Sequence, residues 1–298
     1  MINVKNVTKK FADFTVLNNI NFQIDDSSIY GLVGYNGAGK TTLLKICAGI
    51  YQADEGLVEI DGENVFDNPI ARAKIFFLPD EMSFGINNNL ERLKNFYKGY
   101  YPDFSEKVFY KLTGIMGLDT RKNLSSFSKG MQKQAQIIIA MSTMPKYLIL
   151  DEVFDGIDPQ KKDICKKLFV EYMAETGCSI IMSSHNLQDV AGICDHVAMI
   201  NGSRLTLNVS VDDISSAFEK YRMIFKETVS ESDFDSINYK KLEIEGNVVT
   251  LIVSSDFDIS SLEYLNPIYT DSVMLSLEEV LLNEMEDKKY DIKSIFAQ

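Results

Sequence analysis

Gly34-Tyr35-Asn36-Gly37-Ala38-Gly39-Lys40-Thr41-Thr42 is a glycine-rich run that ends in Lys-Thr-Thr. It fits the phosphate-binding pattern G-x-x-x-x-G-K-[ST], with an extra glycine at Gly37. The apolar run Ile29-Tyr30-Gly31-Leu32-Val33 before it reads as a buried strand, and Thr42-Leu43-Leu44-Lys45-Ile46 after it as the start of a helix. That strand–loop–helix context separates a triphosphate cradle from a glycine-rich turn of no function. Glycines let backbone N–H groups wrap the phosphates, and the dipole at the helix N-terminus favours negative charge. All nine residues are candidate nucleotide contacts. Lys40 is expected to reach the outer phosphates, and the Thr41 hydroxyl to bind Mg²⁺.

A second element stands further along the chain, at Tyr147-Leu148-Ile149-Leu150-Asp151-Glu152. An apolar strand ending in Asp-Glu places two carboxylates at the strand's C-terminal edge, where ligands bind in open α/β sheets. Asp151 is expected to hold Mg²⁺, directly or through water, and Glu152 to orient and polarise the attacking water.

Between and around these motifs the pattern alternates strands and helices. Strands are expected over 2–8, 14–24, 57–60, 74–78, 147–150, 179–182 and 196–200. Helices are expected within 87–117, over 128–144 where Pro145 stops the run, and over 159–176 with Pro159 in the first turn. This alternation predicts an α/β fold with a parallel sheet. Beyond about residue 208 the character changes. Val248-Val249-Thr250-Leu251-Ile252-Val253 follows the turn Glu245-Gly246-Asn247, and a helix is expected from Ser276 to Met285, which together read as a small α+β appendage. The expected domains are therefore 1–208 for the nucleotide-binding part, with a helical subdomain at about 82–144, and 209–298 for a C-terminal accessory part. No internal repeat, low-complexity tract or heptad run is present.

Composition narrows the class. The 298 residues carry a net charge of −13. Most of it lies late: residues 206–298 hold 19 acidic and 8 basic side chains, whereas 1–205 are near balance at 24 and 22. An acidic chain is a poor match for a nucleic-acid backbone. No apolar run of about 18 residues or more is present, and the N-terminus has no signal-peptide core. The four cysteines (Cys47, Cys165, Cys178 and Cys194) form no C-x-x-C pair, which fits reduced thiols rather than a disulfide frame or zinc site. Cys194 and His196 lack a second ligand pair and read as packing residues.

Phe127-Ser128-Lys129-Gly130-Met131, just ahead of a helix, resembles the signature loop of the ATP-binding cassette family, Leu-Ser-Gly-Gly-Gln. Ser128 and Gly130 match it, while Phe127, Lys129 and Met131 depart from it. A Ser cap on an ordinary helix would explain Ser128 alone, but not its spacing to Asp151-Glu152. Asp155-Gly156-Ile157-Asp158-Pro159 is similar to the family's D-loop, with Asp158 as its carboxylate, and Ser183-Ser184-His185 is similar to the switch histidine segment. Phe11 fits the aromatic that stacks on adenine, with Phe14 as the alternative. Leu78-Pro79-Asp80-Glu81 stands where the family has its Q-loop, with Asp80 in place of the Gln.

The resemblance spans residues 1 to about 205 and most resembles ATPase subunits of bacterial exporters for drugs, peptides and antimicrobials. It implies a P-loop NTPase sheet with an antiparallel β subdomain and a helical subdomain. It also implies Mg²⁺-dependent ATP hydrolysis, with Glu152 and His185 as catalytic residues. Thr41, Asp151 and Asp80 would serve the metal. Ser128, Lys129, Gly130 and Asp158 would meet nucleotide bound by a second nucleotide-binding subunit, in a homodimer or related heterodimer. The other implied partners are transmembrane permease subunits, so that the chain would sit in the cytoplasm, peripheral on the inner face of the membrane. The aromatic segment with Phe96-Tyr97, Tyr100-Tyr101 and Phe104 would supply subdomain core and some membrane-subunit contact. A soluble ATP-switched factor acting on ribosomes or DNA is the alternative. It usually carries two cassettes or a coiled-coil insert, and one P-loop and no heptads are found here. A P-loop GTPase would show an Asn-Lys-x-Asp motif, which is also missing.

Overall fold

The computed structural model describes residues 1–81, 88–190, 192–213, 218–273 and 279. They divide into two compact units, Met1–Asn208 and Val209–Gln298. In the first, β1 (Ile2–Phe11) and β2 (Phe14–Ile24) form an antiparallel hairpin that turns at Ala12 and Asp13. β1 runs on past the Thr8 expected from sequence, through register shifts between Val7 and Lys10; such bulges explain why strict alternation is lost there. The chain continues through β3 (Ile29–Val33), α1 (Lys40–Cys47), β4 (Glu55–Ile60), β5 (Glu63–Asn64), α2 (Pro69–Arg72) and β6 (Ile75–Leu78). A helical region follows with α3 (Leu90–Tyr100), α4 (Glu106–Met116) and α5 (Lys129–Ser142). The unit is completed by β7 (Tyr147–Leu150), α6 (Pro159–Thr176), β8 (Ser179–Ser184), α7 (Leu187–Val190) and β9 (His196–Asn201). β10 (Arg204–Ser210) then carries the chain past the boundary.

The strands form an antiparallel sheet in the order β2-β1-β4-β5 and a six-stranded sheet in the order β10-β9-β3-β8-β7-β6. Within the latter, β9, β3, β8, β7 and β6 run parallel. Every residue of β3, β7 and β8 is buried, as expected for parallel strands covered on both faces. One core joins the two sheets around α1, drawing on Val4, Leu17, Val58, Leu32, Leu43 and Ile149. Because the central strands are parallel, the segments leaving β3, β6, β7 and β8 emerge at one edge. Those segments hold the Gly34–Thr42 loop, Asp80, Asp151-Glu152 and His185.

In the helical region each helix is closed by its own side chain: Asn89 accepts from Arg92 N at 2.9 Å, Ser105 from Val108 N at 3.2 Å and Ser128 from Met131 N at 3.2 Å. The aromatic residues divide as the sequence suggested. Phe104 is buried and Tyr97 and Tyr101 pack on Phe76, their rings each 5.5 Å away, while Phe96 and Tyr100 stay exposed side by side on α3. All four cysteines are buried and free, and burial pushes the thiols of Cys47, Cys165 and Cys178 up to about 12, which fits packing residues.

The second unit holds β11 (Phe218–Ile224), β12 (Lys241–Glu245), β13 (Val248–Ser254) and β14 (Tyr269–Val273) in an antiparallel sheet ordered β12-β13-β11-β14. Met223, Phe225, Phe234, Val249 and Leu251 form its core. β13 begins at the expected Val248, after a turn in which Gly246 takes φ 65°. The helix expected at Ser276–Met285 lies outside the described residues, apart from Glu279.

Candidate nucleotide-binding site

The loop after β3 takes backbone shapes that need glycine at its two ends. Gly34 sits at φ 153° and Gly39 at φ 107°. A Cβ would lie 2.5 Å from the Ile200 carbonyl oxygen at Gly34 and 2.9 Å from Leu17 at Gly39. α1 begins at Lys40 without a side-chain cap, which leaves first-turn N–H donors available to an anion. Within the loop, Ala38 N donates to the Tyr35 carbonyl at 3.1 Å. Lys40 is 5% exposed, and its ammonium donates to the Gly34 carbonyl at 2.7 Å and the Tyr35 carbonyl at 3.3 Å.

Two carboxylates meet this loop from the end of β7. Asp151, 1% exposed, accepts from Thr41 Oγ1 at 2.8 Å and from Ser183 Oγ at 2.7 Å. The Ser183 hydroxyl also accepts from Glu152 N at 3.0 Å. Glu152 occupies the left-handed region at φ 45°, a conformation that a non-glycine residue keeps only when its surroundings hold it. Its Oε1 lies 3.2 Å from Lys40 Nζ, and its Oε2 lies 2.9 Å from His185 Nδ1 and accepts from His185 N at 3.2 Å. Lysine, carboxylate and imidazole thus form one connected row at the sheet edge.

The row opens on a cavity of about 500 Å³ whose wall includes Asn36, Gly37, Gly39, Thr42, Asp80 and Asp155. Phe11 also lies on its wall, with its ring edge-on to Tyr51 at 6.0 Å and the Lys9 ammonium 5.6 Å from its centroid. Phe14 is more exposed and stands outside that wall, so the geometry favours Phe11 of the two aromatic candidates. Asp155 carries a carboxyl raised above the usual range, mainly by burial, with His185 opposing the rise and Glu152 and Asp80 adding to it.

Other residues expected at the site are not on this wall. Ser128 caps α5, and Asp158 caps α6 by accepting from Lys161 N at 3.1 Å. Ser128, Lys129 and Asp158 are exposed. Gly130 rests on the turn after Glu152: a Cβ there would fall 2.6 Å from the Gly156 carbonyl oxygen.

Three contacts were not foreseen in the sequence. Ser183 joins Asp151 to the Glu152 backbone, Asp155 shares the cavity wall with Glu152 and His185, and Lys133 holds Asp80. The parallel register Leu150↔Met182 sets Ser183 beside Asp151, so the strand pairing was the signal that could have found the first. Asp80, expected to face the metal, lines the cavity but also accepts from Lys133 Nζ at 3.0 Å through Oδ1.

Fold and site together define a P-loop nucleoside triphosphatase. Comparison with known proteins agrees: the sequence profile of the family described as "ABC transporter" matches residues 17–155. The ABC transporter ATP-binding protein YtrB of Bacillus subtilis is 26% identical over 97% of this chain and 99% of that relative. The bacitracin transport ATP-binding protein BcrA of Enterococcus faecalis is 30% identical over 74% of this chain and 73% of its own length. A solved ATP-binding subunit of an ABC transporter superposes with a TM-score of 0.65 at 25% identity, over 72% of this chain and 91% of its own. The chain belongs to the ABC transporter family, as an ATP-binding subunit that hydrolyses ATP to power transport.

Proposed function

We propose that the chain energises a bacterial exporter through separately encoded permease subunits, as one of two nucleotide-binding subunits that close on ATP between them. The observation that carries this reading is the division of the expected site residues. Lys40, Thr41, Glu152 and His185 line one cavity, with Asp151 hydrogen-bonded to Thr41, whereas Ser128, Lys129 and Asp158 are exposed and not on its wall. A second copy could bring its Ser128 and Gly130 to the open side of that cavity, with a helix N-terminus suited to phosphate. Among the described residues no helix is long and apolar enough to cross a membrane, which fits a subunit that works through others from the inner face of the membrane. The exposed Phe96 and Tyr100 suit a protein contact. The name of the bacitracin-transport relative supports a transport role, and the net charge of −13 speaks against a nucleic-acid partner.

Mg²⁺ prefers hard oxygen ligands, and Thr41 Oγ1 and Asp151, already 2.8 Å apart beside Lys40, are such a set. Asp80 adds a carboxylate at the same wall. When bound, the ion would supply charge neutralisation at the β- and γ-phosphates. Phosphoryl transfer asks little covalent chemistry of a protein, so positioning and electrostatics carry it. Phe11 stacks on the adenine, and the loop amides and Lys40 hold the phosphates. Glu152 accepts a hydrogen bond from the attacking water and takes its proton as the oxygen bonds to the γ-phosphorus and the bond to the ADP oxygen breaks. His185 steadies the γ-phosphate, while Ser183 keeps Asp151 and Glu152 in place.

Glu152→Gln removes the proton acceptor but keeps the shape. Hydrolysis is expected to fall by about 10²–10⁴-fold, the usual contribution of a positioned base, with ATP still bound. Wild-type turnover by that variant would defeat the assignment.

A further inference from the structure

Lys133 lies on α5, in the second turn after the Ser128 cap, with its side chain only 6% exposed. An ammonium is costly to bury unless it is paired and hydrogen-bonded. Among the described residues its hydrogen bonds all go to Asp80: one to Oδ1 at 3.0 Å and one to the backbone carbonyl. Two bonds to the backbone and side chain of the same residue fix its position and its rotamer together. Asp80 in turn stands where two hollows meet: the nucleotide cavity, and a groove of about 630 Å³ walled by Lys129, Lys133, Gln136 and Asp155. The Gln136 side chain is 5% exposed, and among the described residues its Oε1 has no hydrogen-bond partner. Next to Lys133 on the same helix, Gln132 donates to the Leu124 and Phe127 carbonyls at 3.0 and 3.2 Å. The first turns of α5 therefore hold both the loop before Ser128 and the Asp80 carboxylate at the cavity wall.

We propose that Lys133 is a positioning residue for the nucleotide site: by clamping the Asp80 carbonyl and one carboxylate oxygen, it keeps the carboxylate at the cavity wall and ties that wall to the helix carrying Ser128. The inference rests on the reading of Asp80 as an oxygen ligand at the metal end of the nucleotide.

The test is a double-mutant cycle on the full chain, with Mn²⁺ binding followed by electron paramagnetic resonance in the presence of a non-hydrolysable ATP analogue. Thermal unfolding serves as the check on folding. Lys133→Met and Asp80→Asn are each expected to weaken Mn²⁺ binding by about 3- to 30-fold, within the range for directly coupled residues. The double variant is expected to bind no more weakly than Asp80→Asn alone, and Lys133→Arg to retain most of the affinity. If Lys133→Met does not fold, Lys133→Gln, which keeps a donor, takes its place in the cycle. Unchanged Mn²⁺ binding in Asp80→Asn would overturn the ligand role of Asp80 and the proposal with it. If Asp80→Asn weakens binding while the Lys133 variant does not, or if the Lys133 variant weakens it equally in the Asp80→Asn background, the positioning role alone is overturned.

Discussion

Ser183→Ala removes a single oxygen, yet that oxygen serves both carboxylate residues of the site. It donates to Asp151 Oδ1 at 2.7 Å and accepts from Glu152 N at 3.0 Å, in a residue only 1% exposed. Losing a hydrogen bond to a charged group costs about 1.5–3 kcal/mol, and leaving a buried N–H without a partner costs about 1–3 kcal/mol. The two losses share one hydroxyl and partly overlap, so we expect a net destabilisation of about 2–4 kcal/mol. Function should suffer as well. Glu152 is held at φ 45°, and the Ser183 bond to its N–H is one of the contacts that oppose relaxation. Small misplacements of a catalytic group cost about 100-fold, so ATPase turnover should fall by one to two orders of magnitude. Denaturant unfolding gives the stability change and a phosphate-release assay gives the turnover. A destabilisation below about 0.5 kcal/mol, the level of ordinary surface substitutions, together with unchanged turnover, would refute the argument that this hydroxyl organises the site.

Two further perturbations test other parts of the structure. Gly130→Ala puts a Cβ 2.6 Å from the Gly156 carbonyl oxygen, so the first turn of α5 or the Gly156 turn must move; thermal unfolding should show a loss of about 1–3 kcal/mol, and an unshifted melting temperature would contradict the contact. Asp61→Asn probes acid stability. Asp61 is partly buried, which by itself raises its pKa, but hydrogen bonds from Lys146, Lys74 and Tyr147 outweigh that and hold the carboxyl below its ordinary 3.8. A depressed folded-state pKa contributes stability that is present above 3.8 and is lost as pH falls through the folded value. Denaturant melts should therefore find wild type more stable than Asp61→Asn at neutral pH, with the gap narrowing as pH falls below about 3.8; a gap independent of pH would contradict the assignment.

Much of the site could be read directly because its motifs are local. The loop from Gly34 to Thr42 and the pair Asp151-Glu152 each follow an apolar strand, and the parallel sheet then brings both to one edge. Ser183, Asp155 and Lys133 were harder to see because their roles depend on tertiary partners. Ser183 meets Asp151 only through the β7–β8 register, and Lys133 finds Asp80 from 53 positions away. The second unit shows the same limit from another side. β13 reads Val-Val-Thr-Leu-Ile-Val-Ser, mostly apolar, and announces itself, whereas β14 reads Tyr-Thr-Asp-Ser-Val and is largely exposed, so it offers no buried face for a period-2 pattern to mark. The Ser128 loop is legible as a helix cap, but a cap alone does not say which phosphate it serves.

On the proposed function, this chain holds half of an ATP site and Ser128 of a second copy supplies part of the other half. Light scattering on purified Glu152→Gln, with and without Mg-ATP, tests it most directly. The expected result is a monomer without nucleotide, a dimer at saturating ATP, and no dimer when Ser128→Arg is added to the same protein. A monomer at saturating ATP, or a dimer indifferent to both ATP and Ser128→Arg, would contradict it.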